Sequence, residues 1–209
     1  IASMIKKGDV VYSDQLNHAS LVDGLRLSGA DIKIYPHLDY DFLWRALKNQ
    51  ASDKQAFIVT ESLFSMDGDI APLERYAELV KQFDCGLIVD EAHAVGLFGR
   101  NGRGLVDHCR VDDAVLVSIN GLGKAFACTG AFVAGSGLVI DYLVQKARTL
   151  MFTTALPPAF LYAIKATLEI ISDDDQLRNA LHTRIGYFAR LLADANLIKM
   201  PELATPIFP

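Results

Sequence analysis

Short apolar runs alternate along the chain with longer stretches in which apolar residues recur every three or four positions. Runs at 10–13, 32–35, 56–60, 86–89, 114–118 and 131–134 are predicted strands, and several are apolar nearly throughout, as strands covered on both faces are. Between them, 20–28, 40–50 and 73–83 have helical spacing, the last opening after Ala71-Pro72, where proline suits a first turn. A longer amphipathic helix is predicted over 138–150. This alternation is the signature of βαβ units, so the expected fold is α/β, a mostly parallel sheet flanked by helices. After Thr153-Thr154-Ala155-Leu156-Pro157-Pro158 the pattern changes to consecutive helices at 159–171 and 176–195, with an acidic N-cap cluster, Ser172-Asp173-Asp174-Asp175, between them. The double proline sets the expected boundary between a domain of residues 1–157 and residues 158–209, connecting helices and the beginning of a C-terminal α+β domain. Ile1 opens in what reads as the end of a helix, and residues 204–209 read as the entry to another strand. The chain therefore reads as the middle of a longer protein.

Composition narrows the classes. Of 209 residues, 51% are hydrophobic and 22% charged, the balance of an ordinary globular domain. A net charge of −5 without a basic cluster argues against nucleic acid or an anionic membrane as partner. The uncharged stretch 125–140 is too short to span a bilayer and is broken by Gly130, Gly135 and Gly137. Cys85, Cys109 and Cys128 are odd in number and lack CxxC spacing, so neither a disulfide framework nor a structural zinc is indicated. No signal-peptide layout opens the chain, which points to the cytoplasm.

The candidate chemistry clusters at strand ends. Asp90-Glu91-Ala92-His93 follows the run at 86–89, and Lys124 follows downstream in the glycine-rich turn Gly121-Leu122-Gly123-Lys124. A carboxylate at the end of a buried strand is costly without a cation or donors. Asp90 could simply cap its turn, or it could pair with a protonated pyridine nitrogen, with His93 bonding the ring's phenolic oxygen. The same tetrad serves magnesium and water in DEAH-type helicases, but that reading requires an upstream G-x-x-x-x-G-K-[ST] loop, and the sequence has none. Lys124, between glycines and an uncharged stretch, has the setting of a partly buried amine able to form a Schiff base. His18, in Asn17-His18-Ala19-Ser20, could be a helix-entry residue with Asn17 or Ser20 as cap, or could stack on a ring. Residues 61–69, Glu61-Ser62-Leu63-Phe64-Ser65-Met66-Asp67-Gly68-Asp69, could be turn chemistry alone, or Ser65 could reach a ring oxygen.

Taken in order, these segments resemble the α-oxoamine synthase family of fold-type I pyridoxal phosphate (PLP) enzymes. Asn17-His18-Ala19-Ser20, residues 61–69 with Ala71-Pro72, Val89-Asp90-Glu91-Ala92-His93, Gly99-Arg100-Asn101-Gly102-Arg103-Gly104, Gly123-Lys124 and residues 153–158 carry the likeness over essentially the whole chain. The resemblance implies PLP as cofactor, held in the large domain of fold type I. It implies that Lys124 forms the Schiff base and moves the substrate's α-proton. It further implies that Asp90 pairs with the pyridine nitrogen, His93 and Ser65 serve the ring oxygen, and His18 stacks on the ring. Thr153, or Thr154 beside it, would reach the phosphate in the partner subunit, so a homodimer is implied. The family reaction condenses an amino acid with an acyl-CoA or acyl-carrier-protein thioester, usually with loss of carbon dioxide. Gly130-Ala131 favours the biotin-pathway branch, which joins alanine to a pimeloyl thioester, over branches that carry two glycines there. A homologue that keeps the fold as a non-catalytic subunit is the rival, and retention of Lys124 argues against it. At Gly121 the sequence departs from the phosphate-binding threonine the family often has, with Ser118 or Asn120 as possible substitutes. The family's upstream glycine-rich segment and its substrate-binding arginine are expected outside residues 1–209.

Overall fold

The structure is a computed structural model that describes residues 1–51 and 53–209. Its centre is one six-stranded sheet: β1 (Val10–Asp14), β2 (Asp31–Tyr35), β3 (Ala56–Glu61), β4 (Gly86–Asp90), β5 (Val117–Gly121) and β6 (Ala131–Gly135). The spatial order is β2-β1-β3-β4-β5-β6, with β1 to β5 parallel and β6 antiparallel to β5. Helices α1 (Ala19–Ser28), α2 (Tyr40–Lys48) and α3 (Leu73–Phe83) connect the first four strands; the short α4 (Leu105–His108) precedes β5. After β6 come α5 (Gly137–Lys146), α6 (Arg148–Met151), α7 (Pro158–Asp173) and α8 (Asp175–Asp194). The expected α/β architecture is the one observed.

The two-residue strand period divides the core. On one face Val11, Phe57, Val59, Ile88 and Val117 pack with Leu21 and Leu25 of α1 and with Val139 and Leu143 of α5. On the other, Val10, Tyr12, Ile58, Leu87 and Val89 pack with Leu43 and Leu47 of α2 and with Leu73 and Tyr76 of α3. Central β1 and β3 are buried at every position, which explains their unbroken apolar reading. Edge strands β2 and β6 are largely exposed, so they are not covered on both faces.

Four expectations are corrected. The strand placed at 114–118 begins three residues later, because Val111 turns the chain through bonds from the N–H groups of Ala114 and Val115. Pairing of Ile88, Val89 and Asp90 with Val117, Ser118 and Ile119 then fixes the register. Gly121 is therefore the last residue of β5 rather than part of a turn. The helix placed at 138–150 divides at Ala147, whose ψ of 99° ends α5 while its carbonyl accepts the first bonds of α6. Residues 204–209 form no strand. They lie against the loop after β3, where the Thr205 hydroxyl donates to Gly68 O at 2.7 Å. The acidic cluster does cap α8, with Asp174 accepting from the N–H groups of Gln176 and Leu177.

Candidate active site

From β1 the chain crosses to β2 on one side, and from β3 through β5 it crosses to the other. Ligands of open α/β sheets bind in the crevice such a reversal opens at the carboxyl ends of the strands. His18 follows β1, residues 61–69 follow β3, Asp90 ends β4 and Lys124 follows β5, all at that edge.

Strand register sorts the acids. Glu61 and Asp90 are paired neighbours at the ends of β3 and β4, so their side chains share a face. Glu91, one residue on, turns to the opposite face and accepts from the N–H groups of Leu105 and Val106. Asp90 Oδ1 accepts the Ala92 N–H at 2.8 Å, the turn-capping role. Its second oxygen has no donor among the described residues. Burial raises the Asp90 pKa, as does Glu61, while the Ala92 N–H, Lys124 and His93 pull it down. The turn-capping reading of Asp90 therefore holds, and its second oxygen is left open to another donor.

His18 is itself the N-cap of α1. Its Nδ1 accepts the Ser20 N–H at 3.2 Å and lies 2.8 Å from Ser20 Oγ, so neither Asn17 nor Ser20 is the cap. Buried Asn17 instead sews β1 to β3, its amide donating to Ser13 Oγ and Val59 O. The His18 N–H donates to Glu61 Oε1 at 2.7 Å, and Glu61 Oε2 lies 3.7 Å from His93 Nδ1. One buried carboxylate thus meets the backbone of His18 and the imidazole of His93. Ser65 is half-buried on the loop after β3, closed by bonds from Phe64 N to Asp69 O and from Ala71 N to Ser62 O. Ser62 N–H donates to Asp90 O at 2.9 Å and ties that loop to β4.

Lys124 sits in a compact loop closed by bonds from Leu122 N to Gly130 O, Cys128 N to Leu122 O and Ala127 N to Lys124 O. Leu122 and Phe126 are buried against Val95 and hold the loop from either side. Lys124 itself is exposed, not partly buried as its apolar surroundings in sequence suggest, because those neighbours spend their apolar surface on anchoring. Thr153 is exposed between α6 and α7.

Gly121 shares the Asp90 face, and a Cβ there would come within 3.3 Å of the Ala92 methyl. Ser118 and Asn120 point to the other face, where they line a cavity with Glu91, Arg103, Phe126 and Phe132 and bond each other. The period of two therefore rules them out as stand-ins for a phosphate-binding threonine at position 121.

Sequence reasoning left out two residues. Glu61 is one; its signal is an acid ending an apolar run just as Asp90 does. His37 is the other, with Nδ1 2.8 Å from Asp14 Oδ1 and Nε2 2.9 Å from Asp69 Oδ2. It clips the turn leading to His18 onto the loop carrying Ser65.

Comparison with known proteins identifies the family. Residues 1–209 match the model of the family described as aminotransferase class I and II. The chain belongs to that family. It is 44% identical to an 8-amino-7-oxononanoate synthase of Trichlorobacter lovleyi, a match covering 100% of this chain and 54% of that protein. Among solved structures it resembles 8-amino-7-oxononanoate synthase of Francisella tularensis, with a TM-score of 0.83 and 33% identity over 98% of this chain and 59% of that one. It also resembles a serine palmitoyltransferase of Sphingomonas wittichii, with a TM-score of 0.88 and 27% identity over 92% and 48% of the two chains. The chain thus spans about half the length of the relatives it matches. Among the described residues no helix is long and apolar enough to cross a membrane.

Proposed function

We propose that the whole protein is a PLP-dependent acyltransferase of the α-oxoamine synthase type, joining L-alanine to a pimeloyl thioester with loss of carbon dioxide, as an 8-amino-7-oxononanoate synthase in biotin biosynthesis. The observation that carries this reading is the convergence of Lys124, Asp90, His93 and His18 at the carboxyl edge of one sheet, with an Asp90 oxygen left without a donor. The residues fit the cofactor, because a protonated pyridine nitrogen is the counter-charge that a desolvated carboxylate lacks.

Bound PLP supplies an aldehyde and an electron-withdrawing ring. Asp90 holds the proton on the ring nitrogen. His18 offers the flat face of an imidazole whose orientation Ser20 sets. Ser65 and His93 donate to the ring oxygen. Lys124 supplies the amine and then takes and returns the proton at the substrate α-carbon. Thr153, or Thr154, serves the phosphate of a partner subunit's cofactor in a homodimer. With Gly121 lacking a hydroxyl, that contact bears more of the phosphate binding.

Reduction of the full-length protein with borohydride followed by peptide mapping tests the assignment: the pyridoxyl group is expected on Lys124. A colourless protein that takes up no PLP overturns it. Lys124→Ala is expected to abolish turnover while leaving the circular dichroism spectrum and melting temperature close to wild type. For the substrate, alanine, glycine and serine are assayed against a panel of acyl thioesters. Best turnover of serine with a long acyl thioester would favour the palmitoyltransferase reading, which the structural likeness supports. Glycine with an acetyl or succinyl thioester would point to other branches.

A further inference from the structure

We propose that Glu61 is a positioning residue of this site, holding His18 by its backbone and His93 by its ring, and that its negative charge keeps His93 a proton donor toward the cofactor. This rests on the function proposed above for the identity of the ring that His93 faces.

Glu61 ends β3 and is 2% exposed. A carboxylate so buried is costly unless donors or a cation meet it. Its two partners both belong to the site. Oε1 takes the His18 N–H at 2.7 Å, the short distance of a charge-assisted bond. That bond fixes the residue at the head of α1, and the Ser20 contacts then fix its ring. Oε2 stands 3.7 Å from His93 Nδ1, the range of an ion pair rather than a hydrogen bond. Glu61 at the end of β3 is the carboxylate beside His93, and Asp90 at the end of β4 feels Glu61, Lys124 after β5 and His93 together. His18, on α1, lies beyond Glu61.

Two carboxylates in register at adjacent strand ends repel, and Glu61 adds to the burial that raises the Asp90 pKa. A proton donor beside them relieves the repulsion, and the His93 ring stands 3.7 Å from Glu61. The His18 bond alone does not require a charge, since an amide oxygen accepts an N–H as well. The charge therefore serves His93.

Glu61→Gln separates the two roles in the full-length protein. Exchange of the His18 amide hydrogen is expected to stay as slow as in wild type, because the glutamine oxygen still accepts. A donor at the ring oxygen competes with the proton on the adjoining lysine linkage. With that donor weakened, the pH midpoint of the bound cofactor's visible absorbance band is expected to rise by about one unit or more. In a His93→Gln background the same substitution is expected to add nothing. Glu61→Leu, which loses both contacts, is expected to speed His18 exchange about tenfold or more, reflecting the lost bond. An unmoved midpoint in Glu61→Gln overturns the proposal, as does an equal shift in the His93→Gln background. Should the variants fail to fold, the nitrogen-15 spectrum of the wild-type histidines decides. His93 must carry protons on both ring nitrogens at pH 7, Nδ1 toward Glu61 and Nε2 on the other side, and a bare nitrogen at either position overturns the proposal. That spectrum is recorded without cofactor. A wild type that takes up no PLP would therefore overturn the proposed function while leaving Glu61 to be judged separately.

Discussion

Asp90 and Glu91 are chain neighbours with opposite duties, because successive strand residues face opposite ways. Glu91 is 1% exposed, and burial pushes its pKa up to about 7 against the donors that hold it down. The folded protein thus binds this proton more tightly than the unfolded chain, whose carboxyl titrates near 4.5. Its contribution to stability is intact below pH 4.5 and declines as the pH rises toward 7. Glu91→Gln is expected to flatten that decline by roughly 3 kcal/mol in denaturant titrations at pH 4.5 and 7.5. An unchanged slope would show that Glu91 is not its source. Gly104 gives way to the same carboxylate: its φ is +103° and a Cβ there would overlap Glu91 Oε2. Gly104→Ala is expected to cost at least about 2 kcal/mol, from backbone strain and displacement of the acid. Asp90→Asn keeps the Ala92 cap and removes the charge. It is expected to lower kcat at least about tenfold, about 1.4 kcal/mol of barrier, and an unchanged rate would refute the role assigned to Asp90.

At the scale of elements, loops from different strands must be held in mutual register, and His37 does this between β1 and β3. Burial alone would lower its pKa, but the bonds to Asp14 and Asp69 outweigh it and raise it. The clip therefore stabilises the fold fully below about pH 6.5 and lets go as the pH rises through the raised value. His37→Asn is expected to destabilise the protein at pH 5.5 and much less at pH 9, measured by urea midpoint. A loss of equal size at both would show that charge is not what holds the clip. Phe126 shows the same logic for Lys124: Phe126→Ala is expected to cost about 3–5 kcal/mol by emptying its place beside Val95 and Leu122. The strands, the connecting helices and the strand-end chemistry were legible because the central strands are apolar throughout and the acids and lysine interrupt them. Pairing was not legible. The polar Ser118 and Asn120 disguise β5, and only the β4 and β6 ladders reveal where it starts. The partnership of Glu61 with His18 and His93 was hidden for the same reason, since it depends on Glu61 lying opposite Asp90. His37 was hidden because its two carboxylates are 23 and 32 residues away in sequence.

Across the whole molecule, apolar surface is unevenly distributed. Leu138 at the start of α5, Phe152 between α6 and α7, and Tyr162 on α7 are 82%, 70% and 75% exposed, whereas Tyr12, Tyr35 and Tyr76 of the core are wholly buried. Large apolar side chains left this open suit contact with another body. Thr153 is exposed beside Phe152, open to a partner if each subunit completes its neighbour's site. A symmetric dimer then contains two sites, each with Lys124 from one protomer and Thr153 from the other. Lys124→Ala and Thr153→Ala should each be nearly inactive alone. A hybrid dimer gathers both lesions into one site and leaves the other intact. Unfolding and refolding the two full-length variants together at equal concentration is expected to restore about a quarter of wild-type activity, since half the dimers are hybrids with one sound site each. Refolding each variant by itself should restore none. No recovery on mixing, with hybrid dimers shown to form by mass spectrometry of tagged subunits, would place Thr153 in its own protomer's site or outside the chemistry altogether.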